Sequence, residues 1–125
     1  MPLAISITSI EASGNALRVG FNVTPSGNYT TGIGGDTLNF TTATQDPVFE
    51  GPAASIPSSL APIELNVWSQ SGQTTYEYRP VVGATPATCA MLVLTAYNTE
   101  HGTGAYEAAI LADSIHGTAV FKKGV

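Results

Sequence analysis

Charge is the scarcest commodity in this chain. Asp, Glu, Lys and Arg make up 10% of its 125 residues, against about 25% in an ordinary soluble domain. Arg18, Arg79, Lys122 and Lys123 are its only basic residues besides two histidines, and the net charge is −5. Four scattered cations build no surface that could neutralise a run of phosphates, which excludes nucleic-acid binding. There is one cysteine, Cys89, so no disulfide forms within the chain. Its place in the apolar run "TCAMLVLTAY" predicts a small buried hydrophobe rather than a nucleophile. No apolar run reaches the ~20 residues of a membrane span, and no membrane partner is expected. The N-terminal stretch "MPLAISITSIEAS" lacks a positive segment and alternates apolar with polar, reading as a strand rather than a signal peptide.

Hydrophobic residues are plentiful, at 43%. A length of 125 residues fits one domain, spanning 1–125, with a modest core. Few charges on so apolar a chain predict surface hidden against other subunits.

Strand signals dominate. Leu3, Ile5 and Ile7 share one face, and a turn follows at Ser13–Ala16. Leu17, Val19, Phe21 and Val23 then alternate with Arg18, Gly20, Asn22 and Thr24, predicting a hairpin of two half-buried antiparallel strands. Thr37–Thr41 reads as a short strand. Ile63, Leu65 and Val67 are expected on one face of another, with Trp68 on the opposite face. Tyr76 and Tyr78 mark a strand closed by Pro80. Thr88 to Tyr97 is apolar on both faces and predicts a central, covered strand. Ala105 to Asp113 fits helical and period-two spacing equally, and the surrounding pattern favours strand. Ile115 to Lys123 is the last. About eight short strands at this spacing predict an all-β, single-domain antiparallel sandwich or small jelly-roll-like barrel.

One segment stands apart. Thr42 to Pro62 carries Pro47, Pro52, Pro57 and Pro62 at five-residue intervals. Each proline removes a ladder donor, so regular sheet is excluded. Val48, Phe49, Ile56 and Leu60 give the segment apolar anchors, which favours an ordered arm over a free linker. Phe49 is either an interface anchor or a lid folded back on its own domain.

Candidate chemistry is thin. The glycine-rich run "SGNYTTGIGGDTLNFT", Ser26 to Thr41, invites a nucleotide reading, which fails twice. A Walker loop needs Lys where Asp36 stands. A dinucleotide fingerprint needs its third glycine where Thr37 stands, and a strand follows where a helix is required. The run reads instead as a bend feeding a strand. His101 and His116 lie on different elements in no metal-ligand spacing, and Cys89 has no partner cysteine, so no metal or other cofactor is expected. Glu100 beside His101 could form a catalytic pair, but an acid and a His in a Gly-rich loop are more often solvated. Glu64, Glu77, Glu100 and Glu107 allow a two-carboxylate glycosidase arithmetically without singling out a pair. No catalytic residue is therefore assigned and the chain reads as non-enzymatic. Trp68 is either core under a doubly covered strand or an outward ring that stacks on a sugar or fills a neighbour's pocket.

Several pieces together carry a resemblance. Gly27-Asn28-Tyr29-Thr30-Thr31-Gly32-Ile33-Gly34-Gly35-Asp36-Thr37-Leu38 is followed by Tyr76-Glu77-Tyr78, then Gly104-Ala105-Tyr106-Glu107, and finally Ala119-Val120-Phe121-Lys122. This series resembles small virion structural proteins of tailed bacteriophages, the capsid decoration or cement proteins. The chain departs from that pattern by Ile33 within the TGGD core and by the proline arm. The resemblance implies a protein made in the host cytoplasm that sits on the outer capsid surface. It implies the major capsid protein as partner and a homo-oligomer, a trimer favoured. Val48, Phe49, Ile56, Leu60 and Trp68 are then the expected interface residues. A carbohydrate-binding or fibre-type module of the same virion is the alternative.

Overall fold

The computed structural model describes residues 3–14, 16–42, 44–45, 60–95 and 99–122. The first two strands, β1 (Leu3–Ser13) and β2 (Ala16–Pro25), form the expected antiparallel hairpin. The period-two alternation puts Leu17, Val19, Phe21 and Val23 inward, each 3% exposed or less. A bulge interrupts the register between Ile7 and Ser9. The extra residue reverses the phase of β1, so Ile10 rather than Ser9 leans on the core.

A short β3 (Asn28–Tyr29) and β4 (Asp36–Leu38) follow. The strand expected over Thr37–Thr41 therefore starts and stops early, and Phe40–Thr42 is a 3-10 turn. The cause is local. The Asn39 Oδ1 accepts hydrogen bonds from the Thr41 N–H at 3.0 Å and its hydroxyl at 2.5 Å, a side-chain turn that competes with the ladder. Phe40 drops into the core, edge-on to Phe21 at 5.0 Å and to Phe121 at 5.5 Å.

Next come β5 (Thr44–Gln45), β6 (Pro62–Ser69), β7 (Glu77–Val81), β8 (Cys89–Thr95), β9 (Thr99–Glu100) and β10 (Gly104–Ala105). A single helical turn, α1 (Ala108–Leu111), precedes β11 (Ile115–Lys122). One sheet has the order β5-β1-β2-β11-β6 and the other β4-β8-β7, with β9 on β8 and a separate β10-β3 pair. Pairing is antiparallel throughout except between β1 and β5. The inner faces of both sheets contribute to one hydrophobic core, and neither sheet closes on itself: the fold is an all-β sandwich rather than a barrel.

Three expectations need correction. Ile63 does not join Leu65 and Val67. It is the extra residue of a bulge opposite Val120–Phe121, which turns it out to 67% exposure and puts Pro62 inward instead. The Ala105–Asp113 segment is not a strand beyond Ala105. Tyr106 and Ile110, four apart, are both buried, and the N–H groups of Ile110 and Leu111 turn back to the Glu107 carbonyl. Pro80 lies inside β7 rather than closing it; β7 is a sheet edge, where a missing donor is tolerated. The covered strand predicted over Thr88–Tyr97 is β8, flanked by β4 and β7, with Cys89, Met91 and Val93 fully buried but Ala90 and Leu92 only half covered. Within the arm, β5 and Leu60 onward are described, and Leu60 is half-buried. Val48, Phe49 and Ile56 lie outside the described residues.

Candidate functional site

The glycine-rich run does fold as a bend, and it straps a second loop. From β3 it crosses the segment that carries β9 and β10. The Thr31 hydroxyl donates to the His101 carbonyl at 2.5 Å, and the Thr31 N–H to the Thr103 hydroxyl at 3.0 Å. The Gly32 N–H faces both Glu100 carboxylate oxygens at 3.4 Å. Its donor is thus turned towards an anion of the same chain, which speaks against a phosphate cradle. The run ends where Gly35 packs flat on the backbone of β8.

Beneath the strap lies a ring cluster. Tyr29 packs edge-on against His101 at 5.3 Å and Tyr106 at 5.9 Å, and Tyr76 is tilted on His101 at 6.3 Å. Three buried tyrosines each donate to a carboxylate. Tyr29 reaches Glu100 Oε2 at 2.6 Å, Tyr78 reaches Asp113 Oδ2 at 2.7 Å, and Tyr106 reaches Asp36 Oδ2. Burial, then the hydrogen bond to an anion, pushes all three phenols well above the ordinary tyrosine range. These pairs tie β3 to β9, β4 to the loop before α1, and β7 to the loop after it. Sequence reasoning missed them, because their members stand 71, 35 and 70 positions apart.

Glu100 and His101 are adjacent in sequence but work separately. Glu100 is engaged by Tyr29 and Gly32. His101 is buried; its Nδ1 is 2.6 Å from the Gly102 carbonyl, and its Nε2 is 3.8 Å from Glu107 Oε1 without a hydrogen bond. The other carboxylates of the glycosidase reading have partners of their own. Glu77 lies 3.9 Å from Arg79, and Glu64 accepts from Asn66 at 3.0 Å. His116 lines a different cavity, beside Asn22 and Asp113. Among the described residues, no group of three His, Cys, Asp or Glu side chains could hold a metal ion. Cys89 is buried, as predicted, and burial raises its thiol pKa.

Asp113 is the best-connected carboxylate among the described residues. It accepts from Ser69 at 2.8 Å, from Ser71 and from Tyr78. Burial alone would raise its pKa, but the bonds from Ser71, Tyr78, Ser69 and the Ser114 backbone together hold it below the usual carboxylate range. The folded state therefore binds this proton less readily than the unfolded chain, and its stabilisation is lost as pH falls through about 4 and below. Asp113→Asn is expected to flatten the acid limb of a melting-temperature profile. Asp113→Ala should cost about 2 kcal/mol at pH 7, allowing for partial exposure.

Trp68 is outward, 40% exposed, with its indole N–H on Gln70 Oε1 at 2.9 Å. A cavity of about 440 Å³ lies between it and Tyr76, and a second of about 340 Å³ lies between Tyr76, His101 and Glu107. At the other end of β6 and β7, Ile63, Val81 and Val82 are exposed. The chain matches no protein-family model, no curated protein and no solved structure.

Proposed function

We propose that this chain is a structural protein of a bacteriophage virion, which decorates or cements the capsid by bridging neighbouring capsid subunits without catalysing a reaction. The observation that carries the reading is exposed apolar surface on a sandwich with few charged residues, 10% of the chain. Ile63, Val82 and Val81 are 67%, 49% and 37% exposed, on strands that run apart from the 70–76 turn and so bring these residues towards the same end. Desolvating such a surface costs little, which suits assembly against another protein. The motif series from Gly27 to Lys122 supports the same reading. Glu100 is engaged by Tyr29 and Gly32, a structural use of the acid beside His101. Repetition of small contacts by symmetry gives avidity without a large interface per copy.

A homotrimer is the favoured assembly, and light scattering at micromolar concentration is expected to report three copies. A stable monomer would confine assembly to the particle itself. The arm supplies the second test. Phe49→Ala should leave the melting temperature of the isolated protein unchanged and weaken particle binding by about 2 kcal/mol. A variant that melts early yet binds particles fully would make Phe49 a core residue and remove the arm from the contact.

A further inference from the structure

We propose that the groove from Trp68 past Tyr76 to Glu107 binds a neutral carbohydrate chain. The site stands apart from the capsid contact proposed above: Trp68 and Ile63 are at opposite ends of β6, roughly 17 Å apart along the strand.

Two cavities share one lining residue. Tyr76 lines both the 440 Å³ space beside Trp68 and the 340 Å³ space beside His101. Each volume lies within the ~300–1,000 Å³ of small-molecule sites, so the pair suits consecutive rings of an oligomer. Both aromatic platforms are held in place before any ligand arrives. Gln70 fixes the Trp68 indole at 2.9 Å. Gln73 clasps the Tyr76 backbone twice, donating to its carbonyl at 2.6 Å and accepting from its N–H at 2.8 Å. Fixed rings lose little entropy on binding. Their negative faces attract the weakly positive C–H faces of a pyranose.

The polar groups fit hydroxyls. Glu77 and Glu107 flank the rings with side chains 61% and 59% exposed, and carboxylates accept strong hydrogen bonds from O–H donors. The Tyr76 phenol is protonated at neutral pH and offers an O–H donor. His101 supplies the second sign of an unmet ligand. Nδ1 donates to the Gly102 carbonyl at 2.6 Å, while Nε2 is buried, has no hydrogen bond and lies 3.8 Å from Glu107 Oε1. A sugar hydroxyl, both donor and acceptor, is the kind of group that would meet this unpaired nitrogen. The two carboxylates and the net charge of −5 select against acidic saccharides.

Trp68 is the single tryptophan of the chain, so its fluorescence reports on the groove alone. The test titrates the wild-type protein with cellohexaose, maltohexaose, chitohexaose and, separately, polygalacturonate. At least one neutral oligosaccharide is expected to shift the emission saturably. Binding should weaken about tenfold in Tyr76→Ala and in Glu107→Gln; the second is a near-isosteric change at an exposed side chain, so it answers even if the first fails to fold. No response to any neutral oligosaccharide at millimolar concentration overturns the proposal. So does undiminished binding by Glu107→Gln, or polygalacturonate binding as tightly as the best neutral chain.

Discussion

Gly35→Ala is expected to remove about 2–5 kcal/mol of stability, a large share of the ~5–15 kcal/mol that holds a typical domain folded. Two independent costs add. The residue sits at φ +99°, a conformation in which any Cβ is strained by about 1–2 kcal/mol. A methyl group there would also stand 2.7 Å from the carbonyl carbon and oxygen of Met91 and 2.9 Å from the Leu92 nitrogen. Those atoms are backbone of β8, held between β4 and β7, and cannot step aside as a side-chain tip would; such overpacking costs another ~1–3 kcal/mol. Gly34→Ala is the control. Its φ is +89°, but a Cβ there meets nothing within 4 Å, so only the conformational cost applies. Denaturant midpoints of the two variants separate the effects. Equal midpoints would mean that the bend does not press on β8 as described.

The second large effect is alkaline unfolding. Tyr29, Tyr78 and Tyr106 are each 5% exposed or less and each hydrogen-bonded to a carboxylate. Their folded pKa values are raised, chiefly by burial and then by those bonds. Above about pH 10 the unfolded chain releases three protons that the folded chain keeps. Stability is intact below that pH and falls above it, at about 1.4 kcal/mol per proton per pH unit, or about 4 for three. A cooperative collapse is therefore expected within about two to three units of pH 10. Phenolate absorbance measures it: Tyr29, Tyr78 and Tyr106 should ionise only as the sandwich melts. Stepwise ionisation of all three in a chain that stays folded would contradict the buried pairs.

The core was legible where a regular period ran unbroken. Leu17 to Val23 alternates without interruption, so the hairpin and its inward face follow from spacing alone. Cys89 was legible for the same reason, within an apolar run too dense for a surface strand. Spacing failed where a single residue slips the phase. After Ile7 two polar residues precede Ile10, a visible slip that marks the first bulge. At Ile63 only the preceding proline hints at the second, and the partner strand decides it. Ala105–Asp113 carries both periods, and the tie breaks through contacts with distant elements: Tyr106 bonds Asp36, and Ile110 enters the core. Phe40 left its expected strand because Asn39 offered the backbone a nearer acceptor. The tyrosine–carboxylate pairs left no trace, since nothing local links Tyr29 to Glu100 or Tyr78 to Asp113. Trp68 was left open between core and surface; the alternation of β6 leaves it outward, beside Tyr76.

The proposal that the chain is built into a capsid surface is open to a cryo-electron density map of virus particles purified from a culture that produces this protein. A protruding density is expected at symmetry-related positions on the outer shell. The eight-residue β6 and β11 should fit it, and the Ile63, Val81 and Val82 end should face the major capsid protein. A particle whose outer shell carries no density that this sandwich fits, while the protein is abundant in the infected cell, would contradict it.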